Sequence, residues 1–247
     1  MEQAFSRTEL LLGRDALRKL AGCRVAVFGV GGVGGYVVEA LARAGIGALD
    51  LVDNDVVCRS NFNRQILATE KTLGRYKVDA AAERIADINP ACRVRTFRSF
   101  FLPETAGQFD FSAYDYVADA IDTVSGKIQL ALSAREAGTP LISAMGTGNK
   151  LDPSLFRAGD LFETENCPLA RVMRKELRKR GVESLKVVWS PEMPLTPAEA
   201  PENRDGSGKA EEGGRQKPVP GSVSFVPPVA GMIMAGEIVR DLIRTEK

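Results

Sequence analysis

Histidine is absent from all 247 residues of the sequence. This absence removes the commonest general base of enzymes at neutral pH, and with it every serine–histidine or cysteine–histidine nucleophile pair. It also removes imidazole as a metal ligand. Any chemistry performed by this chain therefore depends on carboxylates, lysine, arginine, cysteine or bound ions.

Cysteine is scarce, and no two cysteines are close in sequence. The four are Cys23, Cys58, Cys92 and Cys167. Because none forms a C-x-x-C pair, the spacing excludes both a zinc ribbon and a thioredoxin-like redox motif. Scattered, unpaired cysteines are typical of a reducing compartment, so the sequence predicts a cytoplasmic protein.

The chain also lacks an excess of charge and a clean apolar run. Its 33 basic and 32 acidic residues create no global field that would attract a polyanion, so a nucleic-acid contact requires a local patch. The N-terminus spaces its leucines helically and does not resemble an export signal. The most apolar stretch, residues 223–239, contains Pro227, Pro228 and Glu237. We interpret it as a buried loop and helix, and predict no membrane span.

Strand and helix patterns alternate along the first 150 residues. Residues 24–28 and 48–52 are predicted strands that flank a helix at 35–44, which makes a parallel β-α-β unit. Further helices are predicted at 77–88 and 125–136, with strands at 92–97, 116–120 and 140–143. This alternation predicts an α/β fold with a doubly wound, mostly parallel sheet and a Rossmann-like nucleotide-binding half.

The pattern changes after residue 150. A charged helix at 168–180 and a strand at 185–189 predict a smaller C-terminal extension of the sheet. Residues 191–220 are rich in Pro, Glu, Gly and Lys, which favours a mobile loop, either a solvated insertion without function or an active-site lid. We therefore expect one domain over residues 1–247, with a nucleotide-binding half at 1–150 and a substrate and dimer half at 151–247.

A glycine motif follows the first predicted strand. Residues 29–34 read GVGGVG and fit G-x-G-x-x-G, with glycines at Gly29, Gly31, Gly32 and Gly34. Glycines here let backbone N–H groups and a helix N-terminus approach phosphate. Asp53 ends the second strand about twenty residues on, where a carboxylate accepts from ribose hydroxyls. The motif predicts a nucleotide site without distinguishing a dinucleotide from a mononucleotide.

The segment after Asp53 distinguishes between nucleotide-binding families. Residues 53–65 read DNDVVCRSNFNRQ, which resembles the D-x-D-x-V-x-x-S-N-L-N-R-Q signature of the ubiquitin-activating, ThiF, MoeB and HesA family. GRYK at 74–77 and DAID at 119–122 follow in that family's order. The resemblance covers most of residues 5–150. It implies an ATP-binding enzyme of the ligase class that adenylates a carboxylate.

The resemblance implies roles for individual residues. Arg64, Lys77 and Asp122 match catalytic positions that stabilise the charge developing on phosphate, and Asp55 and Asp122 match positions that hold Mg²⁺. Asn61 and Gln65 are implied to donate to phosphate oxygens. The positions implied to contact ATP are Gly29, Gly31, Gly32, Gly34, Asp53, Asp55, Asn61 and Gln65.

Arg7 resembles the second arginine of the family's R-Y-x-R-Q opening. That arginine implies a catalytic contact with the ATP of a partner subunit, and hence a homodimer. This sequence has Thr8 where the family has glutamine. An ordinary surface charge on an N-terminal helix is therefore the alternative interpretation of Arg7.

The second half resembles one subfamily, the tRNA threonylcarbamoyladenosine dehydratases. The matching segments are AMGTG at 144–148, LDP at 151–153, PLAR at 168–171 and PPVAG at 227–231. The resemblance implies ATP-dependent activation of the threonyl carboxylate of the modified tRNA adenosine, followed by ring closure with net loss of water. The alternative is adenylation of the C-terminus of a small ubiquitin-like or sulfur-carrier protein, although the zinc and thioester cysteines of those enzymes are missing.

Two further features leave alternatives open. Residues 171–180 contain six cations, which predict either a contact with tRNA phosphates or an ordinary solvated helix face. Cys167 stands where the subfamily often has aspartate. It is interpreted either as an acceptor of sulfur or acyl groups or as an inert small residue.

Overall fold

The computed structural model describes residues 3–198 and 220–244. Within these ranges, seven strands form one sheet. The strands are β1 Arg24–Phe28, β2 Ala48–Val52, β3 Arg93–Phe97, β4 Tyr116–Asp119, β5 Leu141–Ala144, β6 Arg157–Asp160 and β7 Lys186–Trp189. The helices are α1 Ser6–Leu12, α2 Arg14–Gly22, α3 Gly34–Arg43, α4 Lys77–Ile88, α5 Val124–Ala137, α6 Pro168–Arg178 and α7 Val226–Ile243.

The sheet runs in the order β3-β2-β1-β4-β5-β7-β6. Each neighbouring pair is parallel except β6 with β7, which is antiparallel. The central strands are short, apolar and buried, as expected for a parallel sheet covered on both faces. The predicted doubly wound, mostly parallel α/β fold is confirmed.

Helices cover both faces of the sheet and bury two apolar cores. Residues of α2, α3, α4 and α7 pack on one face. On the other face, α5 and α6 pack with a cluster of aromatic rings around Phe28. The apolar stretch at 223–239 becomes part of α7, which packs against α3, so the predicted buried helix is confirmed. None of the helices in the described ranges combines the length and apolarity needed to cross a membrane.

Most predicted elements are confirmed to within one or two residues. Strand β6 was not predicted, because Arg157–Asp160 is short, contains a glycine and lacks apolar alternation. It forms only because β7 offers it a free edge. Helix α6 ends at Arg178, two residues before its predicted end. The division into a nucleotide-binding half and a substrate half stays a prediction, and residues 199–219 of the predicted loop lie outside the described residues.

The strand order reverses between β1 and β4. After β1 the chain builds β2 and β3 on one side, and then returns to place β4 on the other. A crevice opens at the carboxyl ends of the strands at such a switch point, and ligands of doubly wound proteins bind there. The topology therefore locates the candidate site before any side chain is considered.

Candidate active site

A cleft of about 520 Å³ lies at this switch point, a size that suits a nucleotide. It is lined by loops that follow β1, β2, β3, β4 and β5, together with the chain at 220–222 and the first turn of α7. Segments distant in sequence thus meet at one edge of the sheet. The predicted site residues that line it are Gly29, Gly31, Gly32, Asp53, Asp55, Asn61, Arg64, Gln65, Lys77 and Asp122.

The glycine turn joins β1 to α3. Gly29 has φ +85°, and a Cβ there would lie 2.7 Å from the carbonyl oxygen of Ala120. A Cβ on Gly34 would lie 1.8 Å from the oxygen of Gly29. Gly34 does not line the cleft, so the structure gives it a packing role, bringing α3 close to the strand. Gly29, Gly31 and Gly32 form the wall that faces a ligand.

Asp53 is tied to the glycine turn by its carboxylate. One oxygen accepts from the backbone N–H of Val30 at 2.7 Å, and the other accepts from the N–H of Asp55 at 2.8 Å. Burial raises the pKa of the Asp53 carboxyl, opposed by the charge of Lys77 and by these two hydrogen bonds. Since a carboxylate has about four lone-pair sites, Asp53 keeps capacity for ribose hydroxyls.

Lys77 and Asp55 form an ion pair in the cleft wall. The Lys77 ammonium donates to Asp55 Oδ2 at 2.7 Å, and the Lys77 backbone N–H donates to the Asp55 carbonyl at 3.0 Å. Lys77 opens α4, whereas Asp55 follows β2. The family resemblance implies separate roles for these two residues, on phosphate and on metal. The structure adds a direct contact between them.

Arg64 lines the cleft without a carboxylate partner in the described part of the chain. Its Nη1 donates to the Ser60 carbonyl at 2.9 Å and to Asn63 Oδ1 at 3.0 Å. Burial lowers the pKa of this guanidinium, because desolvation disfavours its charged form. A half-buried guanidinium that lacks a counter-ion is suited to bind an anion.

Asn61 and Gln65 stand one turn apart beside the glycine turn. Asn61 Oδ1 accepts from the Cys58 backbone N–H at 3.1 Å, which leaves the amide nitrogen as its donor toward the cleft. Gln65 is buried, and its Oε1 has no hydrogen-bond partner among the described residues. A buried polar atom without a partner is costly, so Oε1 marks a place where a ligand donor fits.

Asp122 follows β4 and lines the cleft with an exposed side chain. The described residues contain no group of three or more His, Cys, Asp or Glu side chains able to hold a metal. Asp55 and Asp122 supply at most two carboxylates. That donor set suits Mg²⁺, which is commonly bound by one or two carboxylates together with substrate phosphates.

Arg7 is not brought to the cleft of its own chain. It lies exposed on α1, beside Leu10 and Leu11, whose surfaces are 89% and 84% exposed. These two leucines make the exposed face of α1 around Arg7 apolar. The structure thus separates Arg7 from the other predicted catalytic residues.

Several cleft residues were not among the predicted site residues. Ser99, Phe100 and Phe101 follow β3, and residues 144–148 comprise the last residue of β5 and the loop after it. The rule that ligands bind at strand carboxyl ends could have identified both groups. Residues 220–222 had no such signal. Asn149 holds them in place, since its Oδ1 accepts from the Gly221 N–H at 2.6 Å.

Cys167 is buried at the N-cap of α6. A Cβ built on Gly146, in the cleft wall, would lie 3.7 Å from its sulfur. The thiol therefore packs behind the wall. Burial without access to the cleft favours the interpretation of an inert small residue over that of a nucleophile.

The six cations of the α6 region have different surroundings. Arg174 is half-buried and donates to the Thr164 carbonyl at 2.7 Å, and Arg178 stacks over Phe162 at 5.3 Å. Lys179 and Arg180 pair with Glu176. In the described ranges only Arg171 and Lys175 are exposed cations of this helix without a partner.

This geometry defines the class of protein. A glycine turn at the switch point, an acidic residue after β2 and two cations in one cleft are the features of a nucleotide-binding α/β enzyme. The chain belongs to the ThiF family, whose model matches residues 5–247.

Individual relatives are similar over different lengths. A tRNA threonylcarbamoyladenosine dehydratase of Bacillus subtilis is 44% identical over 245 residues, which cover 99% of this chain and 96% of the relative. The crystal structure of the E. coli tRNA N6-threonylcarbamoyladenosine dehydratase TcdA in complex with ATP is similar with a TM-score of 0.85 and 33% identity. That similarity covers 98% of this chain and 94% of that structure. An adenylyltransferase and sulfurtransferase uba4 of Aspergillus clavatus is 38% identical over 133 residues, 54% of this chain and 27% of the relative.

Proposed function

We propose that this protein uses ATP to adenylate the threonyl carboxylate of threonylcarbamoyladenosine in tRNA and then closes the product into a ring. The observation that carries the proposal is that the glycine turn, Asp53, Arg64 and Lys77 come from separate segments and line one cleft. The similarity to a dehydratase over nearly the whole length of both chains supports this substrate. We expect the protein to meet this tRNA in the cytoplasm.

The reaction has two steps that balance without a cysteine or histidine. A threonyl carboxylate oxygen attacks the α-phosphorus of ATP, and pyrophosphate leaves. The neighbouring carbamoyl group then attacks the acyl carbon and loses a proton. The bond between the acyl carbon and AMP breaks, and AMP keeps the former carboxylate oxygen, which accounts for the net loss of water from the nucleoside. Because the attacking carbamoyl group belongs to the same molecule as the acyl carbon, holding the two groups in the reactive orientation supplies much of the rate acceleration of ring closure.

The cleft residues divide the work of the first step. Asp53 holds the ribose, and Arg64 and Lys77 donate to phosphate oxygens as negative charge moves to pyrophosphate. The donors of Asn61 and Gln65 complete the phosphate contacts. Asp55 and Asp122 would hold Mg²⁺, which would supply positive charge beside the triphosphate. Arg7 of a partner subunit reaches the same phosphates, which makes the functional unit a homodimer.

The exposed face of α6 binds the tRNA backbone. Leu169, in the first turn of α6, lines the cleft, and Arg171 and Lys175 follow it by two and six residues along the helix. Positions 171 and 175 are one turn apart and are neighbours on the helix surface, so their charges form one exposed basic stripe. Contact with phosphates would release counterions and make tRNA affinity depend on salt.

A nucleoside assay tests the proposal. Purified protein, ATP, Mg²⁺ and tRNA carrying threonylcarbamoyladenosine are expected to yield AMP, pyrophosphate and a nucleoside lighter by one water, measured by mass spectrometry. tRNA that lacks the threonylcarbamoyl group is the control and should yield no AMP. If the modified tRNA gives no AMP while a small sulfur-carrier protein triggers pyrophosphate exchange, carrier adenylation is the function instead.

A further inference from the structure

A charged pair is buried behind the cleft, at the carboxyl ends of β4 and β5. The Lys127 ammonium donates to Asp119 Oδ1 at 2.9 Å and to Ser143 Oγ at 3.2 Å. The Ser143 hydroxyl in turn donates to Asp119 Oδ2 at 2.6 Å. The Lys127 and Asp119 side chains are 0% and 1% exposed. We call Asp119, Lys127 and Ser143 the buried triad.

The fold brings the triad together from three elements. Asp119 ends β4 and is the register partner of Ser143 on β5, so their side chains share one face of the sheet. Lys127 lies in the first turn of α5, where a positive charge opposes the helix dipole. A buried ion pair is often no more stabilising than apolar residues of the same volume. Stability alone is thus a poor explanation for the triad.

The triad holds the turn at residues 120–122. Asp119 Oδ1 also accepts from the backbone N–H of Ile121 at 3.2 Å. On the same side, a Cβ on Gly126 would lie 2.7 Å from Ile121 Cδ1, which shows how closely α5 packs on this turn. The glycine turn closes the other side, because the Ala120 carbonyl lies against Gly29. The turn is therefore fixed from both directions, and Asp122 is its last residue.

We propose that Asp119, Lys127 and Ser143 are positioning residues that set the 120–122 turn and so present the Asp122 carboxylate to the phosphate end of the cleft. None of the three lines the cleft, so they act through Asp122. The role of Asp122 rests on the proposed function. The fixing of the turn does not rest on it, because it follows from contacts within the chain itself.

Hydrogen exchange of the ATP-free protein tests the first half of the proposal. Lys127→Met should speed amide exchange at residues 120–123 by about tenfold or more, since the Ile121 N–H loses a fixed acceptor. Lys186→Met is the matched control. Lys186 pairs with Asp241 at 2.8 Å and Glu237 at 2.6 Å between β7 and α7, and its loss should leave exchange in the turn unchanged.

Kinetics test the second half. Lys127→Met should lower kcat for AMP formation about tenfold or more while KM for ATP stays within about threefold, because the loss falls on the transition state. Lys127→Arg, which keeps a cation, should recover part of the rate. Lys186→Met should leave both constants unchanged.

The outcomes separate the two proposals. If Lys127→Met does not fold, Ser143→Ala is the second variant. It keeps the Lys127–Asp119 ion pair, removes the hydrogen bond from Ser143 to Asp119, and should cause a smaller rise in amide exchange and a smaller loss of kcat. Unchanged exchange in the turn together with unchanged kcat in the variant that folds would overturn the positioning role. If the wild type forms no AMP with modified tRNA, the proposed function fails, and the exchange experiment still decides whether the triad fixes the turn.

Discussion

The Lys77 ammonium and the Asp55 carboxylate neutralise each other in the cleft wall, at 2.7 Å. The Lys77 side chain is 7% exposed, whereas that of Asp55 is 52% exposed. Desolvation of Lys77 is therefore compensated by Asp55 as long as no phosphate is present. If the triphosphate binds the Lys77 ammonium, the Asp55 carboxylate loses its ion-pair partner and lies beside negatively charged phosphate. A second cation is then required to offset the repulsion.

Asp55→Asn should weaken the Mg²⁺ dependence of ATP binding. In the wild type, Mg²⁺ offsets the repulsion between Asp55 and the triphosphate, so ATP affinity should rise strongly when Mg²⁺ is added. In the variant that repulsion is absent, and affinity without Mg²⁺ should be higher than in the wild type. Calorimetry with and without Mg²⁺ measures both values. An identical Mg²⁺ response in the two proteins would contradict this role of Asp55.

Adenosine affinity should depend on the ionisation of Asp53. Burial raises the pKa of this carboxyl above its ordinary value of 3.8. Ribose hydroxyls donate to the ionised form, so adenosine binding should be complete above the raised pKa and fall as pH drops through it. Adenosine is the probe because it has no titrating phosphate. Asp53→Asn should bind more weakly, with that pH dependence removed. A wild-type profile as flat as that of the variant would exclude ribose binding by Asp53.

Arg64→Ala should lower turnover about 100-fold, because one donor to the developing charge is removed. ATP affinity should change much less. The matched control is Arg59→Ala, five residues earlier, where the guanidinium pairs with Glu70 on the surface. Steady-state kinetics should find the control within about twofold of wild type, since exposed ion pairs contribute little. Equal losses in both variants would argue for a structural effect of Arg64.

Arg171→Ala with Lys175→Ala should flatten the salt dependence of tRNA affinity. Removing one cation from one phosphate should reduce the slope of log affinity against log salt by about 0.7 to 0.9. Lys179→Ala is the control, because Lys179 already pairs with Glu176 at 2.8 Å. Filter binding at several salt concentrations gives the slopes. If the double variant keeps the wild-type slope, α6 is not the tRNA surface.

Arg7→Ala and Arg64→Ala should complement each other if Arg7 acts across a dimer. A mixed dimer then contains one site with both arginines intact, so an equal mixture after subunit exchange should regain about a quarter of wild-type activity. Each variant alone should be nearly inactive. Arg7 acting within its own chain would give no recovery. If such a dimer forms through the exposed leucines of α1, Leu10→Glu should dissociate it, which size-exclusion chromatography would detect.

The local pattern of the sequence determined much of this protein. β1, the glycine turn and α3 are adjacent in the chain, so period and glycine spacing were enough to predict them and to place Asp53 after β2. The absence of histidine and of paired cysteines restricted the chemistry before any fold was considered. The elements and the glycine turn could be predicted because the period of a helix or strand and the shape of a turn are set by residues close together in the chain.

Only the tertiary structure decided which distant residues meet. Lys77 pairs with Asp55, Arg174 turns to Thr164 instead of solvent, and Lys127 is buried against Asp119. Periodicity alone does not reveal these contacts, because a periodic pattern shows which face a residue occupies but not what lies opposite. The sheet brings those partners together, and burial makes their charges matter, since a charge without a partner is costly only once water is excluded.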